Sequence, residues 1–180
     1  MLKYHPRSSM PFGVLIKMVK KCLLGLAVAA GLFTGAAVRA DQSYLVIGAG
    51  SWETLRGNYI KPEIDVDYRF GDSILWILRP HVGVLTAGDG DYYGYGGFVA
   101  DFHVLPHIVL TLNTAIGGYG GHGYNLGSHF EFRNGADLAY QFDNGWRIGA
   151  GFYHISNAGI TRENGGSESA LLQLSVPMPW

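Results

Sequence analysis

Alternation of apolar and charged residues with a period of two is the feature that most constrains how this chain can fold. The segment "YIKPEIDVDYRF", residues 59–70, alternates Ile60, Pro62, Ile64, Val66, Tyr68 and Phe70 with Lys61, Glu63, Asp65, Asp67 and Arg69. Successive side chains of a β-strand point to opposite faces, so this segment has one apolar face and one charged face. The pattern recurs in residues 74–86, 98–104 and 129–142. The sequence therefore predicts an all-β protein.

The next question is which face of these strands is turned inward. A soluble β-sandwich also alternates, but here the apolar face is wide and ends in aromatic residues, and the opposite face is regularly charged. Strands of about ten residues with an apolar exterior and a polar interior are typical of membrane β-barrels, which must close because lipid does not tolerate unpaired strand edges. We expect an eight-stranded antiparallel transmembrane β-barrel of the outer-membrane type, with paired interior charges and no open pore. Its strands are expected at about 43–52, 59–70, 74–86, 92–104, 108–118, 127–142, 146–157 and 168–177.

The N-terminal residues 1–40 have the pattern of a secretory signal peptide. Lys17, Lys20 and Lys21 precede an apolar run from Cys22 to Ala37, and "AVRA" ends in small residues typical of a signal peptidase site. We expect residues 41–180 to form a single barrel domain. Six of the 13 Lys and Arg residues and none of the 14 acidic residues lie in residues 1–40, so the remainder has a net charge of 7 − 14 = −7. That charge argues against nucleic acid as a partner.

Residues 41–180 contain no cysteine, so they offer neither a thiol nucleophile nor a zinc site of the Cys/His type. The histidines that fall on the inward parity, His81, His103 and His129, are expected to be interior hydrogen-bond partners rather than metal ligands. The "GDGD" segment, residues 88–91, lacks the remaining positions of an EF-type calcium loop. We therefore expect no metal and no cofactor.

The predicted connections orient the barrel. "FGDS", "LPH" and "DNGW" are expected to be tight turns, whereas "AGDGDYYGYGG" and "GGYGGHGYNLG" are expected to be longer loops. Outer-membrane barrels keep short turns on the periplasmic side and long loops outside. The seventh strand is then expected to run outward and to end at the depth of the outer leaflet.

A histidine and a serine interrupt the apolar face of that seventh strand. In "FYHISNAGI", residues 152–160, His154 and Ser156 share the outward parity of Phe152, and Glu168 has the outward parity of the eighth strand. A serine that attacks an ester needs a base, and the base needs an orienting acceptor. Ionisable groups that face lipid are costly and tend to be functional. The three residues are therefore candidates for a lipid ester hydrolase, although they could equally face headgroups at the membrane edge without any catalytic role.

The same residues resemble the lipid A 3-O-deacylase (PagL) family of outer-membrane lipases, whose motif is H-x-S-N-A followed by a glutamate fourteen residues after the histidine. The resemblance implies that Ser156 is the nucleophile, His154 the general base and Glu168 the residue that orients the imidazole. It further implies that Asn157 and Gly159 help to form an oxyanion hole. The expected partners are lipid A or lipopolysaccharide and the lipid of a Gram-negative outer membrane, with the active site towards the outer leaflet and without a cofactor.

Two other functions remain open. An outer-membrane phospholipase also uses an outward His-x-Ser pair, but such barrels are longer and depend on calcium. A non-catalytic small barrel for adhesion or membrane integrity would not need the three polar residues to meet. The oligomeric state is also open, with a homodimer as one option.

Overall fold

Eight β-strands form a closed antiparallel barrel in which each strand pairs with its neighbours in sequence and β1 pairs with β8. The computed structural model describes residues 42–57, 60–88, 90–123 and 125–179, so the predicted signal peptide lies outside the described residues. The strands are β1 Ser43–Trp52, β2 Lys61–Arg69, β3 Arg79–Ala87, β4 Asp91–Leu105, β5 Ile108–Gly120, β6 Phe130–Gln141, β7 Arg147–Ser156 and β8 Ser167–Met178. Among these residues, no helix is long and apolar enough to cross a membrane. The predicted eight-stranded barrel is confirmed.

The polarity of the barrel is inverted relative to a soluble protein. On β2 the charged residues Glu63 and Asp65 are each 2% exposed, whereas Ile64 between them is 55% exposed. The same alternation on β7 buries Tyr153 and exposes Phe152. Apolar side chains that face outward along every strand are compatible with lipid and not with water.

The buried charges inside the barrel pair with one another, as expected from the sequence. Arg69 bonds both Asp67 and Asp137, and Asp101 accepts from Arg147 at 2.6 Å. Two further ion pairs join Arg79 to Asp101 and Arg133 to Asp65. Breaking a buried pair by removing one partner leaves an uncompensated charge, which costs about 3–5 kcal/mol. These contacts tie strands on different sides of the barrel together through its interior.

The β2–β3 connection differs from the prediction. The strand β3 begins at Arg79 rather than at residue 74, and the connection spans residues 70–78 instead of a tight "FGDS" turn. The ladder stops where the Phe70 amide donates to the Pro80 carbonyl, and the chain then bends at Gly71, whose amide is bound by Ser43 Oγ. Residues 74–78 are uninterruptedly apolar, but in the described residues no neighbouring strand pairs with them.

The prediction that "AGDGDYYGYGG" forms a long loop was also wrong. Only residues 88–90 connect β3 to β4, and the tyrosine-rich remainder forms the beginning of β4, in register with β3 and β5. Tyrosine is favoured in strands, and this preference outweighs the glycines between them.

The two ends of the barrel differ in their connections. One end carries residues 53–60, 88–90, 121–129 and 157–166, and the other carries residues 70–78, 106–107 and 142–146 together with the start of β1 and the end of β8. The end with the longer connections contains the candidate catalytic residues.

Candidate active site

The hairpin of β7 and β8 brings His154 and Glu168 together. The two residues are direct cross-strand partners, and His154 Nδ1 lies 3.1 Å from Glu168 Oε1. The spacing of fourteen residues is therefore a consequence of register, since three strand residues and a ten-residue loop lie between the two residues along the chain. The His154 side chain is 48% exposed and the Glu168 side chain 18% exposed.

An inward neighbour holds His154 on the outer surface. Tyr153 is fully buried, its hydroxyl donates to Asp137 Oδ1, and Gln173 Nε2 donates to the same hydroxyl at 2.6 Å. Because side chains alternate along a strand, fixing Tyr153 inward directs His154 outward. The interior network thus positions a residue on the opposite side of the barrel wall.

The carboxylate also determines which imidazole nitrogen is available. Glu168 accepts a hydrogen bond from Nδ1–H, which leaves Nε2 as the acceptor of the neutral ring. Gly166 lies against this side of the ring: a Cβ there would lie 3.1 Å from His154 Cε1 and 3.7 Å from Nε2. Gly166 also has a φ of 62°, a left-handed conformation that suits glycine. A side chain at this position would crowd the basic nitrogen.

Ser156 is the last residue of β7 and is partly exposed beside His154. In the described part of the chain, no hydrogen bond joins its hydroxyl to the imidazole. The arrangement therefore brings together a candidate base and its candidate orienting acid, with the hydroxyl on the same face two residues further along β7. Catalytic hydrogen bonds commonly tighten only when substrate is bound, so its role as nucleophile remains a prediction.

Asn157 directly follows Ser156 and holds the loop that leaves β7. The residue is 0% exposed, and its Nδ2 lies 3.2 Å from the Leu126 carbonyl and 2.8 Å from the Glu163 carbonyl. Thr161 Oγ1 accepts a third contact from the same nitrogen at 2.9 Å. Asn157 therefore joins the β5–β6 and β7–β8 loops into one unit.

The residues expected to form an oxyanion hole are already hydrogen-bonded. The Asn157 amide donates to Asn164 Oδ1 at 3.1 Å, and the Gly159 amide donates to Asn157 Oδ1 at 2.9 Å. Both bonds would have to open before these amides could donate to an oxyanion. Within the described loop, the amide of Ala158 has no acceptor, and Ala158 has a left-handed φ of 54°.

Two polar residues near the site were missed in the sequence. Asn164 lies in the β7–β8 loop and binds the amide that follows Ser156. Asn134 is exposed on β6 as the cross-strand partner of His154, and its Oδ1 accepts from Thr114 Oγ1 at 2.8 Å. The signal for Asn134 was available, since it has the outward parity of Phe132 and Leu138. Nothing in a single sequence indicates the loop partner of Asn164.

The β1–β2 loop supports the same site from the other side. The Thr54 amide donates to the Glu168 carbonyl at 3.0 Å, and Arg56 Nη2 donates to the Gly166 carbonyl at 3.0 Å. Arg56 also pairs with the buried Glu53 at 2.8 Å. Burial raises the pKa of the Glu53 carboxyl above its ordinary value, and the Ser167 hydroxyl and the Arg56 cation oppose that rise.

A shallow groove of about 360 Å³ lies on the outer surface next to the pair. Small side chains of three strands form it, namely Ala49, Ser51, Ala150 and Ala170, with Leu172 at one side. Ala170 is the next outward residue after Glu168 along β8, so the groove extends from the pair towards the middle of the barrel wall.

No group of three or more His, Cys, Asp or Glu residues that could hold a metal ion occurs in residues 42–57, 60–88, 90–123 and 125–179.

The fold and the site together define a small membrane-type β-barrel that carries a hydrogen-bonded histidine–glutamate pair on its lipid-facing surface. A family model described as lipid A 3-O-deacylase (PagL) matches residues 86–177, which is half of the chain. The chain belongs to this family, which confirms the resemblance seen in the sequence.

Comparison with solved structures supports the fold. The crystal structure of the outer membrane enzyme PagL superimposes with a TM-score of 0.62 at 20% identity and covers 75% of this chain and 99% of that chain. A second similar structure, from the de novo design of transmembrane β-barrels, has a TM-score of 0.57 at 10% identity and covers 78% of this chain and 100% of that one. At these identities the likeness concerns the fold alone. No curated protein matches the chain.

Proposed function

We propose that the chain is an outer-membrane esterase that removes the acyl chain linked to the 3-hydroxyl of lipid A. One observation carries the proposal: the 3.1 Å hydrogen bond between His154 and Glu168 lies on the apolar exterior, two residues from Ser156 on the same face of β7. A base that is oriented on a lipid-facing surface is positioned to act on a substrate that is itself a lipid. Membership of the lipid A 3-O-deacylase family supports the choice of substrate.

The first chemical step uses the free nitrogen of the imidazole. Rotation of the Ser156 side chain towards His154 Nε2 lets the ring take the hydroxyl proton while Oγ attacks the ester carbonyl. Glu168 keeps the imidazole in the correct tautomer and stabilises the imidazolium that forms. The Ala158 amide, two residues after Ser156, is a donor for the developing oxyanion, alongside the Asn157 and Gly159 amides if their bonds open.

Collapse of the tetrahedral intermediate breaks the ester bond. The sugar 3-oxygen leaves with the proton from His154, and the acyl group remains on Ser156 Oγ. Water then attacks this acyl ester with His154 again as base, which releases a fatty acid and restores the serine. The groove beside Ala170 supports the proposal because an apolar trough of small side chains fits an extended acyl chain.

We further propose that residues 1–40 are removed on export and that the end with the longer connections faces outward. Loops at the outer end and turns at the periplasmic end are the usual arrangement of such barrels. His154 would then lie at the depth of the outer leaflet, which contains the lipid A of a Gram-negative envelope.

Mass spectrometry of lipid A from cells that express the chain tests the proposal. Wild type should reduce the lipid A mass by one acyl chain, and folded Ser156→Ala and His154→Asn should leave it unchanged. Release of fatty acid from phospholipid instead would favour the phospholipase, and no released acyl chain at all would favour a non-catalytic barrel. Loss of the chain with folded Ser156→Ala would contradict the assignment of the nucleophile.

A further inference from the structure

The β2–β3 connection exposes an apolar turn that no strand or loop covers in the described residues. Residues 74–78, here called the 74–78 turn, contain no charged or polar side chain. Ile74 is 63% exposed, Leu75 67% and Trp76 96%. A cluster of large exposed apolar side chains on a folded protein marks an interaction surface.

The backbone of this turn is unusual for its sequence. The Leu78 amide donates to the Leu75 carbonyl at 2.9 Å, and Trp76 between them has a φ of 50°. Ile77 has no positive φ, so the turn has the left-handed conformation at its first central position only, where glycine is favoured. A bulky aromatic residue in that conformation is an outlier and is strained. Such strain tends to persist where the side chain serves a function.

The neighbours of the turn indicate lipid as its partner. The turn follows Phe70, which is 40% exposed and packs edge-on against Tyr68 with ring centroids 4.9 Å apart. The same end of the barrel exposes Phe142 and Trp146 on the outer surface. Aromatic residues at one level around a barrel form the girdle that lies at the membrane interface.

The hydrogen bonds of the turn are also suited to an apolar environment. The Ile74 amide donates to the Leu78 carbonyl at 2.9 Å, in addition to the bond between Leu78 and Leu75. Backbone groups that enter lipid have to be satisfied internally. A charged protein surface would require polar partners that residues 74–78 do not offer.

We propose that the 74–78 turn is a membrane anchor that inserts Leu75 and Trp76 into the lipid at the interface on the periplasmic side. The turn lies between β2 and β3, on the opposite side of the barrel from β6 and β7. Strands β8, β1 and β2 lie between the β7–β8 pairing and the turn, so the anchor and the active site occupy different walls and opposite ends of the barrel. The inference rests on the membrane-spanning barrel and is independent of the catalytic residues.

Fluorescence quenching of the barrel in phosphatidylcholine vesicles tests the anchor. The difference between wild type and Trp76→Phe isolates the emission of Trp76, and Trp146→Phe provides the matched comparison for a girdle residue. We expect brominated acyl chains to remove most of the Trp76 emission and aqueous acrylamide to remove little. Strong quenching by acrylamide would overturn the proposal, and so would protection from both quenchers, which would indicate cover by protein or by a second copy.

A second variant separates anchoring from folding. Trp76→Gly suits the left-handed backbone, so the barrel should fold in detergent at least as well as wild type. In vesicles, the folded and inserted fraction of Trp76→Gly should fall relative to wild type, as shown by heat-modifiable gel mobility. Equal insertion of the two chains into vesicles would overturn the proposal.

Discussion

Replacing Glu168 with glutamine tests the geometry of the site, because the change removes a charge and keeps the shape. Glu168 makes its only side-chain hydrogen bond in the described residues to His154 Nδ1. A glutamine is therefore free to turn its carbonyl oxygen towards Nδ1–H and preserve the tautomer. The variant should lose stabilisation of the imidazolium and keep the orientation of the ring.

The magnitude follows from the exposure of the pair. A hydrogen bond to a charged group contributes about 1.5–3 kcal/mol, and partial exposure of both side chains favours the lower half of that range. Because each 1.36 kcal/mol is tenfold in rate, kcat for Glu168→Gln should fall by about 13–45-fold. The much larger loss of about 10⁴ in a protease with an Asp→Asn change arises from an inverted tautomer in a buried triad.

Initial rates of acyl release from purified lipid A, measured on barrels with the folded gel mobility, check this value. Glu163→Gln is a suitable control, since Glu163 is a loop carboxylate near the site that bonds Asn125 and not His154. An unchanged rate for Glu168→Gln would show that Glu168 is not the orienting acid. A loss as complete as that of Ser156→Ala would refute the argument that glutamine preserves the tautomer.

The remaining predictions concern the barrel, its outer loops and its processing. Leu172 is 74% exposed on the lipid face, so Leu172→Arg should cost about 2–4 kcal/mol near the membrane midplane and reduce the folded fraction on gels, whereas Leu172→Ala should insert nearly normally. Because burial raises the pKa of Glu53 above its ordinary value of 4.5, charging this carboxyl destabilises the fold as pH rises through the raised pKa. Glu53→Gln should therefore raise the unfolding temperature at neutral pH and lose that advantage below the ordinary value; an advantage retained in acid would contradict the assignment. Asn157→Ala removes the buried hydrogen bonds to the Leu126 and Glu163 carbonyls, each worth about 0.5–1.5 kcal/mol, and should accelerate hydrogen exchange in residues 121–129 and 157–166 and lower activity. Intact mass of the membrane form should correspond to a chain that begins near Asp41, and a mass that retains Cys22 would contradict processing.

Much of the fold could be predicted from the sequence because the outward or inward direction of a side chain is a local property of a strand. The alternation on β2 predicted the buried Asp67 and the exposed Ile64 without any knowledge of their partners. The start of β3 was predicted wrongly because the pairing of a strand, unlike the direction of its side chains, is not a local property. Ile74, Trp76 and Leu78 have the same parity as the outward residues of β3, but whether they pair depends on where β2 ends and how the chain bends at Gly71, and that is a non-local property.

The candidate site shows the same division. Parity and spacing predicted that His154 and Glu168 would lie together on the exterior, since the register of one hairpin is nearly a local property. The hydrogen bonds by which Asn157 joins two loops could not be predicted, because its partners Leu126 and Glu163 lie in different loops. In the sequence, an asparagine directly after a candidate nucleophile suggests an oxyanion donor. Only the loop contacts show that its side chain is hydrogen-bonded to the neighbouring loops instead.

Because the polarity of the barrel is inverted, the residues that stabilise the barrel from its interior are distinct from the polar residues on its outer surface. Tyr153 and His154 are adjacent, yet the first belongs to the interior network through Asp137 and the second to the exterior through Glu168. Changes to the outward pair should therefore reduce activity and leave unfolding almost unaffected. Changes such as Asp137→Asn should reduce both, since they weaken the contact that fixes Tyr153 and with it the direction of His154. A variant that loses activity but keeps its stability thus identifies a residue that acts on the substrate. A variant that loses both identifies an interior residue that acts by positioning the outward residues.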